Sequence, residues 1–316
     1  MIQVDQRHLG ATEIVVPPLG IGVWSWGDKG FWGYGSAYTQ EDVYQAYQAC
    51  LDVGLNFFDT AEMYGNGESE RILGECRVKD GRPITIASKF APLPTRLSAH
   101  ALLTALDASL ERLNISTIDL YQIHWPYTLL RTNDLMDALA QAVRAGKVRA
   151  VGVSNYSAAH MRKAQARLAR HDIPLASNQV HYSLLHRKPE ENGVLDACRE
   201  LNVTLIAYSP MEQGLLTGKY RTTNAEPLVG PRRFMPAFGA GRRRKIEPLF
   251  QVMEPIARAH GKTLAQVSLN WLLTKDSCIV PIPGAKNLRQ AQENAGAIGW
   301  SLTQEEHNQI SQAAHF

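Results

Sequence analysis

Eight short runs rich in β-branched and aromatic residues recur along the 316-residue chain: LGIGVW, NFFDTA, ITIASKF, IDLYQIH, VRAVGVS, LASNQVHYS, TLIAYSP and CIVPIPG. Segments with helical spacing separate them. In EDVYQAYQACLDVG, Val43, Tyr47, Cys50 and Leu51 share one face, and in HALLTALDASLERL so do Leu102, Leu106 and Leu110. Short buried strands alternating with amphipathic helices require parallel strands joined by right-handed crossovers, hence a doubly wound sheet or a closed barrel. Eight repeats favour the barrel. A dinucleotide-binding open sheet would carry GxGxxG after its first strand, whereas LGIGVW runs on into the aromatic, Gly-rich WSWGDKGFWGYGS. The expectation is an α/β protein, a (β/α)8 TIM barrel with an N-terminal β-hairpin plug and extra C-terminal helices, in one domain over residues 1–316.

The hairpin is expected over residues 1–18, with Gly10 at its turn and Pro17 and Pro18 closing its second strand. The rhythm breaks at 211–245, a long Gly-, Pro- and Arg-containing loop before a helix that is expected to start near Ile246. Two helical segments, EPLFQVMEPIARAH and LAQVSLNWLLTK, and a tail helix near Gln304 to Ala313 then end the chain. Loops of that length inside a compact domain commonly serve as functional covers, and this composition suits one that contacts anions. Within it, Arg242, Arg243, Arg244 and Lys245 fit either an anion contact or a solvated basic surface.

With 45% hydrophobic and 20% charged residues the chain can bury a core, which excludes disorder and coiled coil. The balance of 33 basic against 30 acidic residues leaves +3, too small for a dedicated nucleic-acid or membrane-surface protein, so a small molecule is the expected partner. Cys50, Cys76, Cys198 and Cys278 form no CxxC pair and have no His at zinc-finger spacing, so neither disulfides nor a metal are expected. The opening MIQVDQRHLG lacks the build of a secretion signal, and no long apolar run follows. The expectation is a soluble cytoplasmic protein, a monomer or weak oligomer.

Catalytic groups of a parallel barrel sit at the carboxyl ends of its strands. The polar residues there are Asp59, Lys89, His124, Ser154 and Asn155, Gln179, and Tyr208 with Ser209, while Tyr64 follows Asp59 in a Gly-rich turn. Asp59, Tyr64, Lys89 and His124, from three neighbouring strand ends, suggest a tuned phenol. The Lys89 ammonium would lower the phenol pKa, Asp59 would hold Lys89 charged, and His124 would polarise a substrate oxygen. That is acid catalysis at a carbonyl. Singly, each residue also fits a plainer role: an ion pair capping the barrel, a core histidine or a loop aromatic. Lys89 also suits a Schiff-base nucleophile of the aldolase kind, but Asp59 beside it opposes the neutral lysine this needs.

The stretches LGIGVW, NFFDTAEMYGNGESERILGE, ASKF, IDLYQIHWP, GKVRAVGVSNYS, NQVHYSLL, AYSPMEQGLLTGKY and VPIPGAKN together resemble the aldo-keto reductases, over nearly the whole chain. The resemblance implies NADP(H)-dependent reduction of aldehydes or ketones, with Asp59, Tyr64, Lys89 and His124 as the catalytic four and Tyr64 as the acid. It places the nicotinamide carboxamide on Ser154, Asn155 and Gln179, residue types that supply the donors and acceptors an amide needs. It also places the nicotinamide ring on Tyr208. By the same resemblance Ser209, Pro210, Gly214, Leu215 and Lys219 border the pyrophosphate, and the first Arg or Lys of the long loop folds over it. At the adenosine end the family's common Lys-Ser pair and following Arg are replaced by Gly284, Ala285, Lys286 and Asn287, then Gln290 and Asn294. Lys286 is then expected on the 2'-phosphate, with Gln290 and Asn294 near the adenine, favouring NADP(H) over NAD(H). Trp24, Trp26, Trp32, Phe90 and Trp125 are the expected substrate-pocket aromatics, with Trp24 also at the cofactor, although core packing suits any of them. Some relatives, the potassium-channel β subunits, bind NADP and act mainly as partners of a membrane protein, an alternative the fold does not decide.

Overall fold

The computed structural model describes residues 5–221, 227–228 and 230–315. The first four residues of the expected hairpin, and 222–226 and 229 of the expected long loop, lie outside the described residues. All eight runs become parallel strands of one sheet: β3 (Ile21–Gly22), β4 (Phe57–Asp59), β5 (Thr85–Phe90), β6 (Ile118–Ile123), β7 (Val148–Ser154), β8 (Leu175–His181), β9 (Thr204–Tyr208) and β10 (Ile279–Ile282). Each strand pairs with the next in sequence. The ends meet where the amides of Gly20 and Gly22 donate to the carbonyls of Pro281 and Pro283, at 3.0 and 3.1 Å, closing the barrel.

The N-terminal hairpin, β1 (Arg7–His8) and β2 (Val15–Val16), covers the amino end. Its Leu9, Ile14 and Val16 share one apolar cluster with the inward residues Phe57, Ala87, Leu120, Ala150, Ala176, Ile206 and Val280. Gly10 turns with φ +54°, and a Cβ there would stand 2.6 Å from the Ala176 carbonyl oxygen, so only glycine lets the plug seat.

The crossovers are α1 (Gln40–Asp52), α2 (Glu68–Asp80), α3 (His100–Leu113), α4 (Thr132–Arg144), α5 (Ala158–Leu168), and the short α6 (Lys188–Glu191) with α7 (Val194–Glu200). In α1 the buried face is Val43, Ala46, Tyr47 and Cys50, with Leu51 only partly covered; Thr39 and Asp42 form its capping box. Later come α8 (Ala240–His260), α9 (Leu264–Lys275), α10 (Leu288–Ala295) and α11 (Gln304–Ala313). Two expectations are corrected here. The long segment holds 3-10 turns at Glu212–Thr217, Gly230–Phe234 and Pro236–Phe238, and α8 begins at Ala240, so Arg242–Lys245 form helix rather than loop. Polar Arg and Lys are good helix formers, and Ile246, Leu249, Phe250 and Met253 bury the face that holds this helix down. Helix α10 was not anticipated, because LRQAQENA is nearly all polar; Asn287 caps it, with its side chain accepting from the Gln290 amide at 3.0 Å. No helix among the described residues is long and apolar enough to cross a membrane.

Candidate active site

Strand register sets the centre of the site. Asp59, the last residue of β4, and Lys89 in β5 project into the barrel above the apolar plug cluster, 1% and 0% exposed. Tyr64 opens a 3-10 turn whose Gly65, Asn66 and Gly67 all carry positive φ, which folds the phenol back over the strand ends before α2 begins. The Lys89 ammonium donates to Asp59 Oδ1 at 2.5 Å, to the Thr60 carbonyl at 2.8 Å and to Tyr64 Oη at 3.3 Å. Burial pulls the Lys89 pKa down, yet Asp59 and Tyr64 together outweigh it, so the ammonium stays charged. For Tyr64 the expected lowering is corrected: burial exceeds the pull of Lys89, and the phenol pKa rises above its ordinary value. The phenol therefore keeps its proton through neutral pH.

His124 follows β6, its ring 5.8 Å from that of Tyr64 and nearly perpendicular to it. Burial, with Lys89 next, drives its pKa down to about 3, and its buried Nδ1 has no hydrogen-bond partner among the described residues. A neutral imidazole offers one N–H to a carbonyl oxygen without competing with Tyr64 for a proton. Between pH 3 and 6.5 the unfolded chain binds a proton at this histidine that the folded chain does not, so stability falls as pH drops through that window and is unaffected above it. His124→Gln is expected to flatten this part of the urea-midpoint profile; an unchanged slope would place the ring in solvent.

The other oxygen of Asp59 is also occupied. Oδ2 accepts from Gln179 Nε2 at 2.7 Å and from Gln122 Nε2 at 3.2 Å, and Gln122 Oε1 accepts from Ser177 Oγ at 3.2 Å. Gln122 and Ser177, both fully buried, were not among the expected site residues. Their signal was spacing by two along the strands: Gln122 follows the inward Leu120, and Ser177 precedes Gln179, each at the period that keeps residues on one face. Gly152 of β7 leaves them room, since a Cβ there would lie 2.2 Å from Ser177 Oγ and 3.0 Å from Gln122 Cγ.

Along one side of the mouth, Ser154 Oγ donates to the Gln179 carbonyl at 2.8 Å, and Asn155 Nδ2 to Ser154 Oγ at 3.1 Å. Tyr208 Oη donates to Asn155 Oδ1 at 3.1 Å. Ser154, Asn155, Gln179 and Tyr208 thus form one hydrogen-bonded group, with Asn155 in the left-handed region at φ +60°. One face of the Tyr208 ring is backed by His181, stacked at 5.3 Å, and His181 in turn stacks on His186 and bonds Glu212 at 2.6 Å. That buttress was missed because His181 reads as one more strand residue.

Ser209 and Gly214 turn with positive φ, while Pro210 and Leu215 are buried, Leu215 within the main core, so only its backbone faces the turn. Lys219 follows that turn, its ammonium 4.9 Å from the Tyr220 ring centroid. Arg221, the first arginine of the long segment, is turned away and pairs with Glu247 and Glu254 of α8. At the far end the Lys286 amide donates to Gln290 Oε1 at 3.0 Å, and buried Asn294 donates to the Gly284 carbonyl at 3.1 Å, so both amides brace the loop that presents Lys286.

The aromatic loop gathers beside Tyr64. Trp24 stacks on Phe31 at 5.4 Å, meets Trp32 edge-on at 5.4 Å and lies 6.2 Å from the Tyr64 ring, and Trp125 flanks His124 at 4.7 Å. Two expected pocket residues do not join them. Trp26 is fully buried, with its indole N–H donating to the Ala285 carbonyl at 2.8 Å. Phe90 follows Lys89 and so points to the opposite face of the sheet, into the helix-covered core.

The chain matches the aldo/keto reductase family model over residues 18–315. It is 38% identical over 318 residues to a chloroplastic pyridoxal reductase of Arabidopsis thaliana, covering 95% of this chain and 83% of that one. It is 36% identical over 285 residues to the aldo-keto reductase yakc [NADP(+)] of Schizosaccharomyces pombe, covering 85% and 82%. Among solved structures, a glycerol dehydrogenase from Gluconobacter oxydans superposes with TM-score 0.85 at 27% identity, covering 98% and 94%. An aldo/keto reductase from Klebsiella pneumoniae in complex with NADP and acetate superposes with TM-score 0.76 at 27% identity, covering 98% and 95%. A barrel closed by these eight strands, matched from the hairpin's last prolines to the tail helix, puts the chain in the aldo/keto reductase family of oxidoreductases.

Proposed function

We propose that this protein reduces aldehydes or ketones to alcohols with NADPH, with Tyr64 as the proton donor. The observation that carries the reading is the Tyr64 hydroxyl at 3.3 Å from an ammonium that Asp59 keeps charged, beneath an aromatic wall open to the barrel mouth. Bound NADPH would supply hydride from C4 of its nicotinamide. The residues present fit that cofactor: an amide-matching group at Ser154, Asn155 and Gln179, the free face of Tyr208, and basic side chains further along at Lys219 and Lys286. Ser154, Asn155 and Gln179 would orient the carboxamide. The neutral His124 and the protonated Tyr64 would both donate to the carbonyl oxygen, and Tyr64 would release its proton as negative charge builds there. Lys89 would stabilise the phenolate left behind and stay charged through the cycle, which opposes a Schiff-base role.

Flat, electron-poor aldehydes suit a slot walled by Trp24, Trp32 and Trp125, and the name of the Arabidopsis relative makes pyridoxal the first substrate to assay. The test follows NADPH oxidation against pyridoxal, methylglyoxal and nitrobenzaldehyde, with dinucleotide binding measured in parallel. Turnover with at least one carbonyl is expected. Tight NADPH binding without turnover on any of them would overturn the reductase reading in favour of a binding or sensing role.

A further inference from the structure

Arg232 is buried, and no carboxylate among the described residues pairs with it. It is 7% exposed, comes from the long segment between β9 and α8, and no ion pair reaches it among the described residues. Its one polar contact among the described residues is a long one, Nε donating to the Gln213 carbonyl at 3.3 Å. The guanidinium lies instead over two rings of the aromatic loop, 4.7 Å from the Trp32 centroid and 5.5 Å from that of Phe31. A guanidinium almost never sits buried without an anion, because ring faces replace only part of its hydration.

The same Trp32 ring carries a second cation, the Lys286 ammonium at 5.3 Å, which also stands 4.8 Å from the Tyr38 ring. Lys286 likewise has no acidic partner among the described residues, and neither does Lys219 across the cleft. Burial first, then the charges of Arg232 and Lys219, press the Lys286 pKa down to about 8, the response of a lysine crowded by like charge. Two more observations point inward. The indole N–H of Trp32, a donor, is buried with no hydrogen-bond partner among the described residues. Asn287 caps α10 directly after Lys286, so the positive end of that helix begins beside the Lys286 backbone. Cations on two separate chain segments converge on an unpaired N–H with nothing anionic among the described residues to balance them, which is the electrostatic shape of a site built for a multiply charged anion.

We propose that Arg232 and Lys286 grip the 2'-phosphate of NADP(H) between them at the edge of the Trp32 ring, making Arg232 a specificity-determining residue delivered by the long segment. This rests on the cofactor assignment above. The arginine that does follow Lys286, Arg289, is exposed on α10, so the planar fork that recognises a phosphate bidentately comes from a different element. It also separates Arg232 from the arginines of the 242–245 run, where Arg242 and Arg243 are turned to the carbonyls of Leu185 and Tyr220. Because Arg232 leans on Phe31 and Trp32, neighbours of Trp24 in the pocket wall, filling the phosphate site also steadies the wall that faces Tyr64.

The test is calorimetric titration of the full chain with NADP+ and NAD+, without substrate, for the unaltered protein, Arg232→Gln and Arg232→Lys. Arg232→Gln keeps a donor for the Gln213 carbonyl and much of the volume while removing the charge. The expected result is a loss of about 10- to 100-fold in NADP+ affinity, against a change within about twofold for NAD+. Arg232→Lys should recover only part of the loss, since an ammonium lacks the fork. Proton uptake on NADP+ binding near pH 8, read from the buffer dependence of the heat, should accompany the unaltered protein and follow Lys286. Equal losses for both dinucleotides, or no loss for either, would overturn the assignment of Arg232 while leaving the cofactor reading intact. Failure of the unaltered protein to bind either dinucleotide would overturn both.

Discussion

Tyr64→Phe is expected to lower the rate of carbonyl reduction by about 10²- to 10⁴-fold, the range a positioned proton donor contributes, with NADPH affinity nearly unchanged. The substitution removes one oxygen and leaves the ring against Trp24 and His124. Lys89 keeps its bonds to Asp59 and to the Thr60 carbonyl, so the folded state loses a single 3.3 Å contact, worth about 1 kcal/mol. A fall in turnover at constant cofactor affinity and nearly constant urea midpoint therefore isolates the proton. The high pKa that burial gives the phenol adds a second readout: activity should hold through neutral pH rather than decline as a lowered phenol ionises. Turnover surviving in Tyr64→Phe would remove Tyr64 from the chemistry and pass the donor role to His124.

Asp59→Asn is expected to be the costlier change for the fold. Asp59 and Lys89 are a fully buried pair, and an amide in place of the carboxylate leaves the ammonium with neutral acceptors alone, the amide oxygen, the Thr60 carbonyl and Tyr64, and no countercharge. Breaking such a pair from one side costs about 3–5 kcal/mol because the remaining charge stays buried. Two further bonds are lost or weakened, since Oδ2 is the acceptor for both Gln179 and Gln122. Cofactor affinity should therefore drop together with turnover, in contrast to Tyr64→Phe. Urea unfolding read by tryptophan fluorescence, alongside NADP+ titration, checks both parts. A wild-type midpoint would mean that Lys89 is neutral in the folded protein, and it would reopen the Schiff-base alternative.

The sequence by itself determined the barrel, because strand period, helix period and their alternation are local properties, and eight repeats of them leave few ways to bury every face. It also located the candidate site residues, since a polar residue that ends an apolar run must lie at the strand's carboxyl end. What only the tertiary structure decided concerns direction and distance. Trp26 and Phe90 sit beside Trp24 and Lys89, which do gather at Tyr64, and only the facing of loop and strand sends their own rings into the core. The pKa of Tyr64 turned on a balance between burial and the Lys89 charge, and burial is a sum over the whole fold. Gln122 and Ser177 became part of the Asp59 network only when three strands aligned in register around Gly152. Arg232 was one of several arginines in a long segment, distinguishable from Arg221 or Arg242 only by where the chain folds it. Local patterning encodes which face of an element is apolar; which charges meet across the barrel mouth depends on contacts between residues far apart in the chain, which no local pattern carries.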